Sequence, residues 1–310
     1  MRWPGRQPVA TGSSPDQAQY ANVWKRPAPE PCMSDSVSNA ENRTPLSRLL
    51  AEITAAGAGP SELMIPEDWL QGRAIYGGLS AALCLQSALS YVPEAGPLRS
   101  AQLAFVSPAG PGVRLVPNVL RQGKSAVFAG TDLLRDDGGV ASRATFCFGK
   151  SRDSRLAVDR LPAPDVADAA DCQGFFEDEA GNNRGPNFAQ HFDSRRAADA
   201  LPMSSAEAPV FTAWMRHRDR AIESTIVALA AIGDALPPAS MALFDGPAPV
   251  SSMTWQFELV DEAPATTDGW WLCQSRAETI GQGYSSQSMT IWNHDRQPIL
   301  VGRQNVAVFY

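Results

Sequence analysis

The hydrophobic positions change period several times along the chain. Over residues 45–56 (PLSRLLAEITAA) they recur every three to four residues, which predicts a short amphipathic helix. Over residues 72–93 (GRAIYGGLSAALCLQSALSYVP) small and apolar residues run nearly all round a helix entered through glycines and ended by Pro93. Such a helix is buried and wrapped by something large. The period then drops to two. RSAQLAFVSP, VRLVPNVLRQG, SAVFAGTDLLRDDG and VASRATFCFG alternate, carry β-branched residues and are punctuated by turn dipeptides such as Asp137-Gly138, so they predict an antiparallel meander. Between residues 151 and 185 periodicity gives way to charged, Pro- and Gly-bearing sequence, which reads as a linker. NFAQHFDSR and VFTAWMRHRD then read as strands. A helix follows, begun by Ser224 or Thr225 as N-cap and stopped by Pro237-Pro238. The strands VSSMTWQFEL, GWWLCQSRAETIG, YSSQSMTIWNHDR and ILVGRQNVAVF complete the chain.

The two halves repeat one another: a buried helix, then four antiparallel strands. Their closing hairpins match, residues 130–148 against 288–309, each with an Arg five or six positions before a Phe, Arg143 and Arg303. Duplication is the economical explanation. A helix wrapped by a curved antiparallel sheet is the hot-dog arrangement, so the expected fold class is α+β with two tandem hot-dog domains. The expected domains are 45–150 and 186–310, with the linker 151–185 between them. Residues 1–44 carry few large apolar side chains and are expected to form a disordered extension. Met33 offers a more natural start than Met1.

Composition removes some function classes. A net charge of −7 over 310 residues gives no basic face for nucleic acid. No apolar run reaches the roughly 18 residues of a membrane span. Five scattered cysteines with no CxxC and no secretory segment read as reduced thiols in a cytoplasmic protein. The Trp-bearing sheets suggest a homo-oligomer. No metal motif is present around the three histidines, and no cofactor is expected.

One residue is out of place. Within ALAAIGDALPP (228–238) Asp234 falls near the C-terminal, negative end of an apolar helix, where a carboxylate is unwelcome and its burial costly. Burial would raise its pKa and make it a better base near neutral pH.

Four stretches in order carry a resemblance: YGGLSAAL, LRQGKSAVFAGTDLLRDDG, ALAAIGDALPP followed by VSSMTW, and LVGRQNVAVF. Spread over roughly residues 60–310, they resemble the double hot-dog acyl-CoA thioesterases of the thioesterase II (TesB-like) type. The resemblance implies an acyl-CoA substrate, hydrolysed by water held between an Asp, a hydroxyl and a Gln. By position these are Asp234, Ser252 and Gln304, with Ser251 and Thr254 also open for the hydroxyl, Thr254 on the same strand face as Ser252. Met253-Thr254-Trp255 replaces the Asp-His pair that the family often carries there. Gly77 and Gly78 are candidate substrate-binding positions, either as oxyanion donors or as allowances for close helix–sheet packing. Aligned on the two arginines, the Gln304 position is Ala144 in the first half, whose helix also lacks an acid, so a single catalytic set is expected. No GxSxG elbow is present. WMRHRDR (214–220) reads as a solvated strand end, with arginines meeting coenzyme A phosphates as the lesser reading. The alternatives to a hydrolase are a non-catalytic acyl-CoA-binding protein and an enzyme acting on another acyl thioester.

Overall fold

The computed structural model describes residues 43–178, 180, 182–198 and 200–310. The extension expected over residues 1–44 falls almost wholly outside the described residues, as does the alternative start at Met33. The first amphipathic pattern forms α1 (Leu46–Ala56), which buries Leu46, Leu49, Leu50 and Ile53 at helical spacing. Gly57 ends it in the left-handed region at φ 74°. The helix has no side-chain cap from its own N-cap residue. Asp219, far along the chain, accepts instead from the Ser47 N–H at 2.8 Å, a carboxylate set at the positive helix end.

After β1 (Ser61–Met64), a small hairpin of β2 (Leu70–Gln71) and β3 (Ala74–Ile75) leads into α2 (Gly77–Tyr91). The meander follows as β4 (Leu98–Phe105), β5 (Gly112–Gln122), β6 (Ala126–Arg135) and β7 (Val140–Gly149). The second half supplies β8 (Phe192–Arg196), β9 (Val210–His217), α3 (Ile226–Gly233), β10 (Val250–Leu259), β11 (Trp271–Gly281), β12 (Tyr284–Trp292) and β13 (Pro298–Val308). All strands except the β2–β3 hairpin join one sheet in the order β1-β5-β6-β7-β4-β10-β13-β12-β11-β9-β8. The two hot-dog units are thus fused edge to edge where β4 pairs antiparallel with β10.

That seam explains the repeat. Trp255 on β10 faces Leu103 on β4; on their outer sides Trp255 pairs with Gln304 and Leu103 with Ala144. A two-fold rotation about the Leu103–Trp255 pair carries Ala144 onto Gln304 and Arg143 onto Arg303, the alignment drawn from sequence. The two helices pack against each other inside the sheet, and a single apolar core runs through both halves.

Several expectations change. The second helix is short, eight residues against fifteen in α2. Thr225 is its N-cap, accepting from the Ala228 N–H at 3.1 Å. The first part of NFAQHFDSR is a 3-10 turn (Asn187–His191) after Pro186, and only Phe192–Arg196 extends into the sheet. From Leu161 onward the stretch expected to be linker is tied to the second half. Its Leu161 and Ala167 carbonyls accept from Trp292 and Trp214 Nε1 at 2.8 and 2.9 Å, and Phe175 and Phe176 enter the core. WMRHRDR is not a solvated end: Trp214, Met215 and His217 are buried. Trp255, Trp271 and Trp292 are likewise core residues, so these tryptophans do not mark an association surface.

Candidate active site

Asp234 occupies the C-cap of α3, with φ −104° and ψ 9°. The reason it tolerates that position lies in the other half of the molecule. The first turn of α2 is aimed at it, and the Gly78 N–H donates to its carboxylate. First-turn N–H groups have no intrahelical acceptor, and the helix start carries a positive partial charge. The negative end of one helix therefore meets the positive end of another, with Asp234 between them.

The approach is close enough to require glycine twice. A Cβ on Gly77 would lie 2.5 Å from Asp234 Oδ2. A Cβ on Gly78 would strike the Tyr76 hydroxyl and come within 2.5 Å of the Ala231 carbonyl on α3. The packing that these glycines permit is helix on helix, where helix on sheet was expected. Tyr76 reinforces the same junction by donating to the Ala231 carbonyl at 2.6 Å, its ring stacked on Phe188. Burial, followed by the charge of Asp234, pushes the Tyr76 phenol well above its ordinary pKa, so it stays a neutral donor.

Gln304 completes the cradle. Its Nε2 donates to Asp234 Oδ1 at 2.5 Å, and it is only 4% exposed. Burial is the largest influence on Asp234 and raises its pKa to about 7, against the opposing pull of the Gln304 and Gly78 donors. No charged neighbour is among the causes, so the shift is a matter of solvent exclusion. The residue still opens in part onto a cavity of about 340 Å³.

Both halves line that cavity. Gly77, Ser80, Phe105 and Ser142 come from the first; Leu236, Met241, Ser251, Ser252 and Gln304 come from the second, with Phe176 and Phe188 closing one side. Ser251 and Ser252 therefore share a cavity with Asp234 and Gln304. Thr254 does not: it is exposed and absent from the lining. A β-bulge decides this. Ser252 pairs with Val306 but Thr254 with Asn305, so Met253 is an extra residue on β10. The bulge breaks the alternation, leaving Ser252 on the face of Val306 and Gln304 and turning Thr254 outward. The two residues were expected to share a face.

The histidines stand apart. His191 is buried against Trp69 with ring centroids 3.7 Å apart, and His217 bonds the Ala228 carbonyl through Nε2 at 2.9 Å. Burial lowers their pKa values to about 3 and about 4. Arg216 and Arg218 are committed to Asp193 and Glu177, with Arg218 reaching both carboxylates, so the phosphate reading finds those arginines already occupied. Among the described residues no group of three metal-ligating side chains lies together, and no helix is long and apolar enough to cross a membrane.

Sequence reasoning missed Gln287. It lies on β12 opposite Gln304, is 0% exposed, and donates from Nε2 to Gln304 Oε1 at 2.7 Å. The signal was present: Gln287 shares its strand face with Met289 and Ile291, both buried.

Comparison with known proteins bears on the fold and the family. Residues 65–149 match the model of the acyl-CoA thioesterase N-terminal domain, and residues 163–308 that of the C-terminal domain. No curated protein is similar enough in sequence to count as a relative. Among solved structures, a conserved hot-dog protein from Alicyclobacillus acidocaldarius is 20% identical, with TM-score 0.73 over 84% of this chain and 98% of that one. An acyl-CoA thioesterase II from Mycobacterium marinum is 18% identical, with TM-score 0.64 over 84% and 98%. The tesB protein of Mycobacterium avium subsp. paratuberculosis is 14% identical, with TM-score 0.68 over 86% and 99%. At these identities the structures speak for the shared fold, and the domain models for the family. The chain belongs to the acyl-CoA thioesterases: it is a thioester hydrolase built from two tandem hot-dog domains.

Proposed function

We propose that the protein hydrolyses fatty acyl-CoA to free acid and coenzyme A, using a water molecule held by Asp234, Ser252 and Gln304. The observation that carries this reading is the Asp234 carboxylate itself, gripped by Gln304 Nε2 and the Gly78 N–H at the edge of a cavity built from both halves. Ionised Asp234 takes a proton from water as its oxygen attacks the thioester carbonyl. The charge that develops on the carbonyl oxygen needs a donor, and the first turn of α2 supplies unpartnered N–H groups; Gly77 is the nearest candidate, since Gly78 already serves Asp234. The C–S bond then breaks, and Asp234 returns its proton to the departing thiolate. Water, proton and leaving group balance without a cofactor. The apolar side chains of Phe105, Phe176, Phe188, Leu236 and Met241 around the cavity suit an acyl chain.

The absence of a histidine from the cavity lining favours hydrolysis over hydration of an enoyl thioester, which would want a His/Asp pair. Free thiols at Cys84, Cys147, Cys172 and Cys273 fit the cytoplasm. Exposed Val119, Leu120 and Phe128 on β5–β6, with Ile280 and Tyr284 on the equivalent β11–β12 hairpin, are the side chains through which copies would associate.

The test is thiol release from a panel of acyl-CoAs, short to long, by wild type and variants. Asp234→Asn should lower kcat by about 10²-fold or more and Ser252→Ala by about tenfold, while Thr254→Ala leaves it unchanged. Undiminished activity in Asp234→Asn would remove the water-activation reading. Acyl-CoA binding with no hydrolysis of any chain length would select the non-catalytic alternative.

A further inference from the structure

We infer that Gln287 is a positioning residue that sets which end of the Gln304 amide meets Asp234; the consequence for catalysis rests on the water-activation reading above. A Gln side chain can sit in either of two orientations of nearly equal shape, with its oxygen and nitrogen exchanged. Presented nitrogen-first to Asp234, Gln304 donates and favours the ionised carboxylate, the form that accepts a proton from water. Presented oxygen-first, it would favour the protonated form, which cannot act as a base. The direct Gln304–Asp234 contact does not by itself hold the choice at the pH where Asp234 is half ionised.

The choice is made two residues away. The Ala239 backbone N–H can only donate, and it donates to Gln287 Oε1 at 2.9 Å. With its oxygen pinned there, Gln287 must point Nε2 the other way, where it donates to Gln304 Oε1 at 2.7 Å. Gln304 then has only its nitrogen to offer Asp234, at 2.5 Å. Three hydrogen bonds run in one direction from a group that cannot be reversed. Both amides are buried, so no bulk water competes to scramble the order.

The first half of the molecule shows what this position does when only packing is needed. The two-fold that carries Ala144 onto Gln304 carries Thr131, which pairs with Ala144, onto Gln287. Thr131 is buried and donates to the Cys84 carbonyl of α2 at 3.0 Å, a local tie to the helix. A long amide at 287 costs more to bury than a Thr and is retained where the neighbouring strand carries Gln304. The groups that face Asp234 from α2 and β13 are Gly77, Gly78 and Gln304, with Gln287 of β12 behind Gln304. Tyr76, the titratable side chain that feels the Asp234 charge, is held neutral by burial, so no charged group overrides the relay.

Two variants separate orientation from mere packing. Gln287→Met keeps the length and removes both polar ends. Gln287→Glu has the native donor–acceptor pattern while protonated and only acceptors once ionised. The readouts are kcat and KM against pH, and the titration of Asp234 by carboxyl carbon-13 NMR in aspartate-labelled protein, assigned through Asp234→Asn. In Gln287→Met, kcat should fall about tenfold with KM within about twofold, and Asp234 should titrate about one unit higher. Gln287→Glu should follow the wild-type rise with pH while its carboxyl is protonated and lose activity as that carboxyl ionises, adding an alkaline limb that wild type lacks. A cooperatively folded Gln287→Met with wild-type kcat and Asp234 titration would overturn the proposal. If that variant does not fold, Gln287→Glu decides, and a profile without the new limb overturns it. Full activity in Asp234→Asn would sink the catalytic reading alone, because the NMR comparison still reports whether Gln287 controls the environment of Asp234.

Discussion

Asp234 sits under opposed influences whose sizes can be compared. Burial and the negative end of α3 favour its neutral form, while Gln304 and the positive end of α2 favour the charged one. Burial wins, and the pKa rises to about 7 from the ordinary aspartate value of roughly 3.9. A pKa near 7 leaves about half the molecules with an ionised base at neutral pH, so kcat/KM should rise with pH through that region and level off above it. The same shift predicts a stability effect. Between pH 4 and pH 7 the folded protein binds a proton at Asp234 that the unfolded chain has released. Stability therefore falls as pH rises across that window. Asn at 234 carries no charge at any pH. The melting temperature of Asp234→Asn relative to wild type should improve from pH 5 to pH 8, by an amount corresponding to on the order of 2 kcal/mol. An equal difference at both values would mean that Asp234 is not shifted. Asp234 itself was legible in the sequence, because a lone carboxylate in an apolar helix is a local anomaly. Gln287 was legible only as an inward position; that it faces Gln304 depends on the β12–β13 register.

At the scale of elements, two features place the site: the junction of α2 with α3 and the bulge on β10. The junction is intolerant of bulk. Gly78→Ala would put a methyl group against the Ala231 carbonyl, a backbone atom that cannot swing aside, and against the Tyr76 hydroxyl. Overpacking of this kind costs about 1–3 kcal/mol. Thermal unfolding of Gly78→Ala should show a lower melting temperature, and activity should fall as well, because the Gly78 N–H that holds Asp234 moves with the helix. An unchanged melting temperature would show that the contact relaxes freely. The glycines were visible in the sequence as an unusual helix entry, but their neighbour was not, because α3 lies some 150 residues away. The bulge was hidden for a related reason. Ser251, Ser252, Met253 and Thr254 carry no local signal for one, and the extra residue shows only in the change of partners from Val306 to Asn305. Plain alternation put Thr254 beside Ser252, and the bulge turned it to the outside.

At the scale of the whole molecule, neither half is complete. Asp234, Ser252 and Gln304 belong to the second unit, whereas the helix start that faces Asp234 belongs to the first. The β4–β10 pairing and the shared core leave each unit, taken alone, with an open strand edge and an exposed helix face. Calorimetry of the intact chain should accordingly give one cooperative transition, and residues 151–310 expressed alone should release no thiol from acyl-CoA. Two resolved transitions, or an active second half, would contradict this fusion. By itself the sequence determined what is periodic or locally anomalous: the helix and strand patterns, the duplication and the lone acidic residue of the second apolar helix, whereas Gln304 was reached through the family resemblance. Those signals survive because side-chain alternation and helical spacing are written residue by residue. The tertiary structure decided which helix faces Asp234, which hydroxyls reach the cavity and which second amide meets the first. These are contacts between segments far apart in the chain, and sheet register and helix crossing, not local composition, bring them together.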